Sequence, residues 1–307
     1  MQFTSKLGKT EVTRKGNFEV YETTLYLAGV TKPLTILLGA DTHMCLTDYR
    51  DDLARKNFTW QRRMWFPFGQ DILEDIVTFP SQNKVDFTVF LGDVIDFPSQ
   101  KNMETLTELL SRQTLGDYLY IEGNHDYNFP EEDINGTPEA LRAIDALAVR
   151  ANGYTELTPK EYQGGFHAVD LGEVIIAGGN NITKEGREAM IKGVKDLYGS
   201  EKPVILCFHR PIENEGIIPS VLQAWKKNGL IPFEKDEVAS AATAENSPVA
   251  ALFSGDVHFF HTNVVNGCLP QIVVSSQEKK IKTGTPAESD KYWSGIGLVH
   301  ILPLENA

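Results

Sequence analysis

Phe87-Thr88-Val89-Phe90-Leu91 runs directly into Gly92-Asp93-Val94-Ile95-Asp96, and Tyr118-Leu119-Tyr120-Ile121 leads, one residue later, into Gly123-Asn124-His125-Asp126. Both apolar runs are rich in β-branched and aromatic residues and too short for helices, so they read as buried strands. A single turn holding Asp or Asn is ordinary, because these side chains hydrogen-bond their own backbone. Here the pattern recurs. Asp41-Thr42-His43 follows the apolar run 34–38, His209 follows 204–208, and Asp256-Val257-His258 follows 249–254.

Five apolar segments thus end in Asp, Asn or His. In an α/β sheet, ligands bind in the crevice beyond the carboxyl ends of the strands. Several carboxylates desolvated side by side are costly unless cations neutralise them, and a bound cation reverses the local electrostatics. A metal cluster is the economical explanation.

The chain has 307 residues, with 29 Lys plus Arg against 42 Asp plus Glu, a formal charge of −13. That balance argues against general affinity for nucleic acid or anionic membrane, since no global positive field gathers phosphates. Cys45, Cys207 and Cys268 are far apart and form no C-x-x-C pair, so neither a disulfide framework nor a thiolate zinc site is indicated. The first residues lack the apolar segment of a secretory signal, and no stretch approaches the roughly 20 apolar residues of a membrane span. Cytoplasmic residence follows as the default expectation.

The first half alternates strand and helix, which predicts a parallel sheet with helices on its faces. One or two strands are expected within 10–30, and then strands at 34–40, 86–91 and 118–121. Helices are expected over 71–79, stopped by Pro80, over 103–110, and from a Thr137 cap with Pro138 in the first turn to Val149. The second half gives two adjacent strands around Gly172, a helix at 185–198, a strand at 203–208, a helix at 219–228 and a helical or surface stretch at 233–247. Strands at 249–254, 260–266, 271–275 and 296–302 follow, with a loop over 279–292. The architecture implied is two β-rich layers with helices outside. No repeat or linker divides 1–307, so a single domain is expected, with a possible substrate cap at 44–70.

The order D-x-H (Asp41, His43), G-D-x-x-D (Asp93, Asp96), G-N-H-D (Asn124, His125), His209 and G-D-x-H (Asp256, His258) closely resembles the calcineurin-like metallophosphoesterase family. The two central blocks are specific as a pair, and the resemblance spans Asp41 to His258. It implies a four-layer α/β/β/α sandwich, a dinuclear metal centre and hydrolysis of phosphoric monoesters or diesters by water activated between two cations. It assigns Asp41, His43, Asp93 and His258 to one metal, and Asp93, Asn124, His209 and Asp256 to the other. His125 is placed beside the phosphate as a proton donor, with Asp96 accepting its other ring hydrogen. Gly255-Asp256-Val257-His258 departs from the commoner G-H-x-H form. A carboxylate there makes the second position harder, favouring Mn or Fe, with Zn possible.

Arg210, next to His209, is a candidate phosphate contact. In the aromatic and cationic stretch 58–68, Arg62, Arg63, Trp60 and Trp65 are candidates for reading a small phosphoester beyond its phosphorus. His167, His261 and His300 read as structural or surface residues, and Cys207 as core. The competing functions are a nuclease and a catalytically silent binding or scaffold protein on the same fold.

Overall fold

Strand β3 (Leu34–Gly39) buries both of its faces: Ile36 and Leu38 join one core, while Leu37 joins another. The same alternation holds in β4 (Phe87–Leu91), with Val89 and Leu91 on one side and Phe90 on the other, and in β5 (Tyr118–Ile121). Successive side chains of a strand point to opposite faces, and a strand covered on both sides reads as a continuous apolar run. That is why these segments were legible. The computed structural model describes residues 3–15, 18–129, 137–158, 165–212, 236–276 and 294–307. The helix expected at 219–228, the loop at 279–292 and residues 233–235 lie outside these.

The other strands are β1 (Ser5–Lys15), β2 (Phe18–Leu27), β6 (Val149–Arg150), β7 (Thr155–Glu156), β8 (Phe166–Asp170), β9 (Ile175–Gly179), β10 (Val204–Cys207), β11 (Val249–Ser254), β12 (His261–Val265), β13 (Leu269–Val273) and β14 (Ser294–Pro303). They form two seven-stranded mixed sheets, ordered β1-β2-β14-β3-β4-β5-β6 and β12-β13-β11-β10-β9-β8-β7. In the first, β3, β4 and β5 run parallel, so their carboxyl ends lie side by side. In the second, β9, β10, β11 and β13 do the same.

Three apolar cores stack these layers. Between the sheets, Ile36, Val89 and Ile121 meet Ile176, Ile205 and Phe253. On the outer face of the first sheet lie α2 (Gly69–Gln82) and α3 (Gln100–Ser111), through Ile76, Val77, Leu106 and Leu109. On the outer face of the second lie α6 (Lys184–Asp196) and α7 (Glu237–Ala242), through Met190, Val194, Val238 and Ala242. The result is an α/β sandwich with two mixed sheets between helical layers. The remaining helices are α1 (Leu53–Trp65), α4 (Asn124–Tyr127) and α5 (Pro138–Asp145).

Two boundaries differ from expectation. Pro80 does not stop α2 but lies inside it. It removes one hydrogen bond to the Ile76 carbonyl, worth about 1 kcal/mol net. Burial of Val77 and Phe79 around it contributes roughly 1.5–3 kcal/mol each. The last turn is further served by Ser81 Oγ on Thr78 O (2.7 Å) and Asn83 Nδ2 on Phe79 O (3.0 Å). Helix α5, capped by Thr137 as expected, ends at Asp145 rather than Val149. Val149 and Arg150 instead pair with β5, and the Arg150 guanidinium donates to the carbonyls of Gly116, Leu110 and Arg112.

Candidate metal centre

Six described non-glycine residues have positive φ, and five of them are Asp41, His43, Asp93, Asp256 and His258. The left-handed region costs an L-residue roughly 1–2 kcal/mol, and such strain gathers where surrounding structure enforces it at functional sites. The enforcement is visible. Beyond β3 and β4 the two ligand turns remain laced together: Asp41 N donates to Gly92 O, His43 N to Asp93 O and Met44 N to Val94 O, each at 2.9 Å, and Asp96 N returns to Met44 O at 3.0 Å. On the opposite sheet, Gly255 N donates to His209 O (2.8 Å) and Asp256 N to Asp41 Oδ1 (3.2 Å).

These turns converge three groups of donors whose ligand atoms lie within 4.8 Å of one another: Asp41, His43 and His258; Asp41, Asp93 and His209; and His43, Asp93 and His125. His209 Nε2 stands 3.3 Å from Asp93 Oδ2 and 3.4 Å from Asp256 Oδ1. His43 Nε2 faces His258 Nε2 at 3.3 Å. Asp41, Asp93 and Asp256 are all buried.

The electrostatics follow from this crowding. Burial, reinforced by Asp93 and Asp256, drives the Asp41 carboxyl well above the usual carboxylate range. Burial also opposes the charge on Asp93, but His209, His125 and His43 outweigh it and hold the group low. For His209 the desolvation penalty is likewise beaten, by Asp93 and Asp256, which raise the ring well above its ordinary value. Burial prevails at His43 and lowers it.

The donor set fits divalent cations. Asp41 Oδ2 and His209 Nε2 are buried without hydrogen-bond partners among the described residues, which is costly unless something else satisfies them. His209 Nδ1 lies 2.7 Å from Leu91 O. Donating there leaves Nε2 as the nitrogen that would bind a cation once its proton is displaced, the arrangement of a metal-ligating imidazole. Asp96 Oδ1, 2.8 Å from His43 Nδ1, does the same for His43. The calcineurin-like phosphoesterase family matches residues 34–260, from the start of β3 to just past His258.

The chain belongs to the calcineurin-like phosphoesterase family. Solved structures of similar fold include a dimetal phosphatase from Danio rerio, 12% identical, covering 80% of this chain and 88% of that one with a TM-score of 0.52. A purple acid phosphatase from yellow lupin seeds, also 12% identical, covers 91% of this chain and 56% of that one with a TM-score of 0.53. Comparison with curated proteins gives no sequence match. In this chain the clustered His and Asp side chains support metal-dependent hydrolase activity, and among the described residues no helix is long and apolar enough to cross a membrane.

The remaining expected residues are placed as follows. Asn124 opens α4 half-buried, and the next backbone N–H, of His125, donates to Asp93 Oδ1 (2.9 Å). The His125 ring keeps 28% of its side chain exposed, with Nδ1 3.1 Å from Asp96 Oδ1 and Nε2 4.0 Å from Asp93 Oδ2. Arg210 Nε is 3.8 Å from Asp256 Oδ2. Arg62 donates to both oxygens of Asp96, from Nε at 2.8 Å and Nη2 at 2.7 Å. Trp60, two residues earlier, lies about 160° around the helix from Arg62 and is 65% exposed. Arg63 and Trp65 are exposed as well.

Several contributors escaped the sequence reading. Phe66 stacks on His43 with ring centroids 4.3 Å apart and on His258 at 5.4 Å, so the end of α1 roofs these two rings. Asp126 is buried and accepts four hydrogen bonds: from Asp93 N (3.0 Å), Gly123 N (2.7 Å), Ile95 N (2.9 Å) and the Tyr120 hydroxyl (3.0 Å). It fastens the two central turns together, and its place as the last residue of G-N-H-D was the available signal. His167 and His300, read as structural or surface residues, each pair with an acid from another element: His167 Nε2 is 2.8 Å from Asp145 at the end of α5, and His300 Nε2 is 3.5 Å from Glu22 of β2.

Proposed function

We propose that this protein hydrolyses phosphoric ester bonds of small molecules with two divalent cations held by Asp41, His43, Asp93, Asn124, His209, Asp256 and His258. The observation that carries the reading is the meeting of three buried carboxylates with two ligand atoms, Asp41 Oδ2 and His209 Nε2, that have no hydrogen-bond partner among the described residues, beside the partly exposed ring of His125. Asp93 belongs to two of the donor groups, which suits a bridging carboxylate. When bound, such cations supply Lewis-acid stabilisation at phosphorus and an activated water near neutral pH.

The chain's own residues account for the proton and the orientation. Before any cation binds, burial works against a charged His125, but Asp93 and Asp96 overcome it and raise the ring to about 9, and the contact with Asp96 favours the protonated form. With Nδ1–H held by Asp96, the Nε2 proton is the one free to pass to the leaving oxygen as its bond to phosphorus breaks. The exposed edge of the ring lets the neutral imidazole regain a proton from solvent. Arg210 adds positive charge beside Asp256 for the phosphoryl oxygens that stay behind. A single donor of this kind serves monoester and diester leaving groups alike.

The net charge of −13 favours a small substrate over a nucleic acid, since a polyanion would meet a repulsive surface outside the cleft. The stretch 44–70 acts as a cover through Phe66.

The test uses metal-depleted protein reloaded with Mn²⁺ and assayed on 4-nitrophenyl phosphate and bis(4-nitrophenyl) phosphate. Turnover that returns with metal and is lost together with bound metal in Asp93→Asn supports the reading. Two ions per chain with undiminished turnover in Asp93→Asn would sink it.

A further inference from the structure

We infer that Arg62 is a positioning residue, resting on the hydrolase reading above: it acts through Asp96 on His43 and His125 rather than on the substrate phosphate. The starting point is Asp96, which has no exposed surface. A carboxylate offers about four acceptor sites, and four nitrogens surround this one. Arg62 Nε approaches Oδ2 at 2.8 Å, and Oδ1 meets Arg62 Nη2 at 2.7 Å, His43 Nδ1 at 2.8 Å and His125 Nδ1 at 3.1 Å. The 3.1 Å approach of Arg62 Nη2 to His43 Nδ1 is then the spacing of two donors sharing one oxygen.

Each donor has a distinct geometric effect. The two imidazoles bind only Oδ1, so alone they leave the carboxylate free to turn about its last bond. The planar guanidinium bridges both oxygens and fixes the carboxylate plane, a constraint that a point-like ammonium lacks. Arg62 is itself held from below: its guanidinium carbon lies 4.6 Å over the Phe66 ring, and Phe66 stacks on His43. Its helix is pinned on the same side by Thr59 against Cys45 and by Phe58 against Phe97. A run of contacts therefore leads from α1 through Asp96 to one expected metal ligand and to the expected proton donor.

The same geometry disfavours a phosphate clamp through the Nε–Nη2 edge. Gripping phosphate through Nε and Nη2 would require Arg62 to release Asp96, leaving a fully buried carboxylate short of its strongest partner, which is severely destabilising.

The test combines Arg62→Ala, Arg62→Lys and histidine side-chain ¹H–¹⁵N spectra of the metal-free full chain. Wild-type protein should show slowly exchanging Nδ1–H signals from His43 and His125, broadened or lost in Arg62→Ala and only partly kept in Arg62→Lys. Titrated Mn²⁺ should bind Arg62→Ala about 10–100-fold more weakly, as for other groups that orient a metal ligand. With Mn²⁺ saturating, kcat should fall more for phenyl phosphate than for 4-nitrophenyl phosphate at nearly constant KM. Added guanidinium should restore part of the loss in Arg62→Ala and none in His125→Asn. Unchanged imidazole spectra with a raised KM would overturn the inference in favour of substrate binding, and an Arg62→Lys protein matching wild type would overturn it too. If no ester is hydrolysed by any form while the spectra and Mn²⁺ affinity change as described, the positioning role stands and the hydrolase reading falls.

Discussion

A side chain at Gly92 would collide with His209: a Cβ built there lies 2.4 Å from His209 Nδ1, the atom that is 2.7 Å from Leu91 O. Gly92 also has φ +88°, a conformation that L-residues rarely adopt. Its conformation and its emptiness together let an imidazole from the second sheet reach the end of β4.

Gly92→Ala should therefore carry both the strain of a left-handed position, roughly 1–3 kcal/mol, and displacement of the ring proposed to bind metal. Gly116→Ala is the control, since Gly116 has φ +70° with nothing among the described residues within 4 Å of a built Cβ. Thermal midpoints should fall for both variants. Only Gly92→Ala should also weaken Mn²⁺ binding, measured by calorimetric titration, and equal Mn²⁺ affinities for the two would remove the special role given to Gly92.

His125→Asn takes away the proposed proton donor without taking away the turn that carries it, because the backbone N–H of residue 125 still donates to Asp93 Oδ1. Metal content and thermal midpoint should stay close to wild type while kcat falls by about 10²–10⁴-fold, the usual worth of a general acid. The loss should shrink as the leaving group improves. A series of aryl phosphates checks this directly, and a loss independent of leaving-group acidity would place His125 outside the proton transfer.

Which parts of this were legible in the sequence depended on range. β3, β4, β5, β10 and β11 announced themselves because both faces of each are buried, which makes them largely apolar runs, and each is followed by ligand-type residues. What lay outside any local pattern was the partner across space. The insertion of β14 between β2 and β3 joins residues at opposite ends of the chain. The grip of Arg62 on Asp96 spans 34 positions, and nothing in 58–68 distinguishes it from the exposed Arg63. Positive φ at five proposed ligand positions was equally silent, since Asp and His tolerate the left-handed region better than most residues but usually sit elsewhere. Pro80 was misread because a helix-ending residue was weighed without the burial of Val77 and Phe79 beside it.

His261 gives a pH signature separable from the metal centre. Burial lowers its pKa below the ordinary histidine value of 6.5, and its Nε2 is buried with no hydrogen-bond partner among the described residues. The native state thus holds the ring neutral, whereas the unfolded chain binds a proton there below about pH 6.5. Where the unfolded state binds more protons, stability rises with pH. The contribution is complete above pH 6.5 and is lost as pH falls through the interval between the unfolded and folded values. His261→Gln should consequently lessen the drop in thermal midpoint between pH 7.5 and pH 5 relative to wild type. Parallel midpoint curves for the two proteins would show that His261 does not feel its burial.

Asp256 sets the expected choice of metal. Its Oδ1 is 3.4 Å from His209 Nε2, and Arg210 stands on its other oxygen at 3.8 Å, so the carboxylate faces the same space as His209 and Asp93. Burial opposes its charge, but His209 and Arg210 outweigh it and keep the group below the usual carboxylate range, ready to bind as an anion. A site with carboxylate at this place is harder than one with imidazole, and hard oxygen donors suit Mn²⁺ or Fe²⁺ better than Zn²⁺. Metal-depleted wild-type protein should accordingly recover more activity with Mn²⁺ than with Zn²⁺. Asp256→His restores the commoner G-H-x-H form, and histidine tolerates the positive φ of 69° found here better than most residues. The substitution should move the preference toward Zn²⁺, read as the ratio of the two dissociation constants as well as the ratio of activities. A wild-type protein active with Zn²⁺ alone, or a ratio untouched by Asp256→His, would mean that the metal is chosen elsewhere in the cluster.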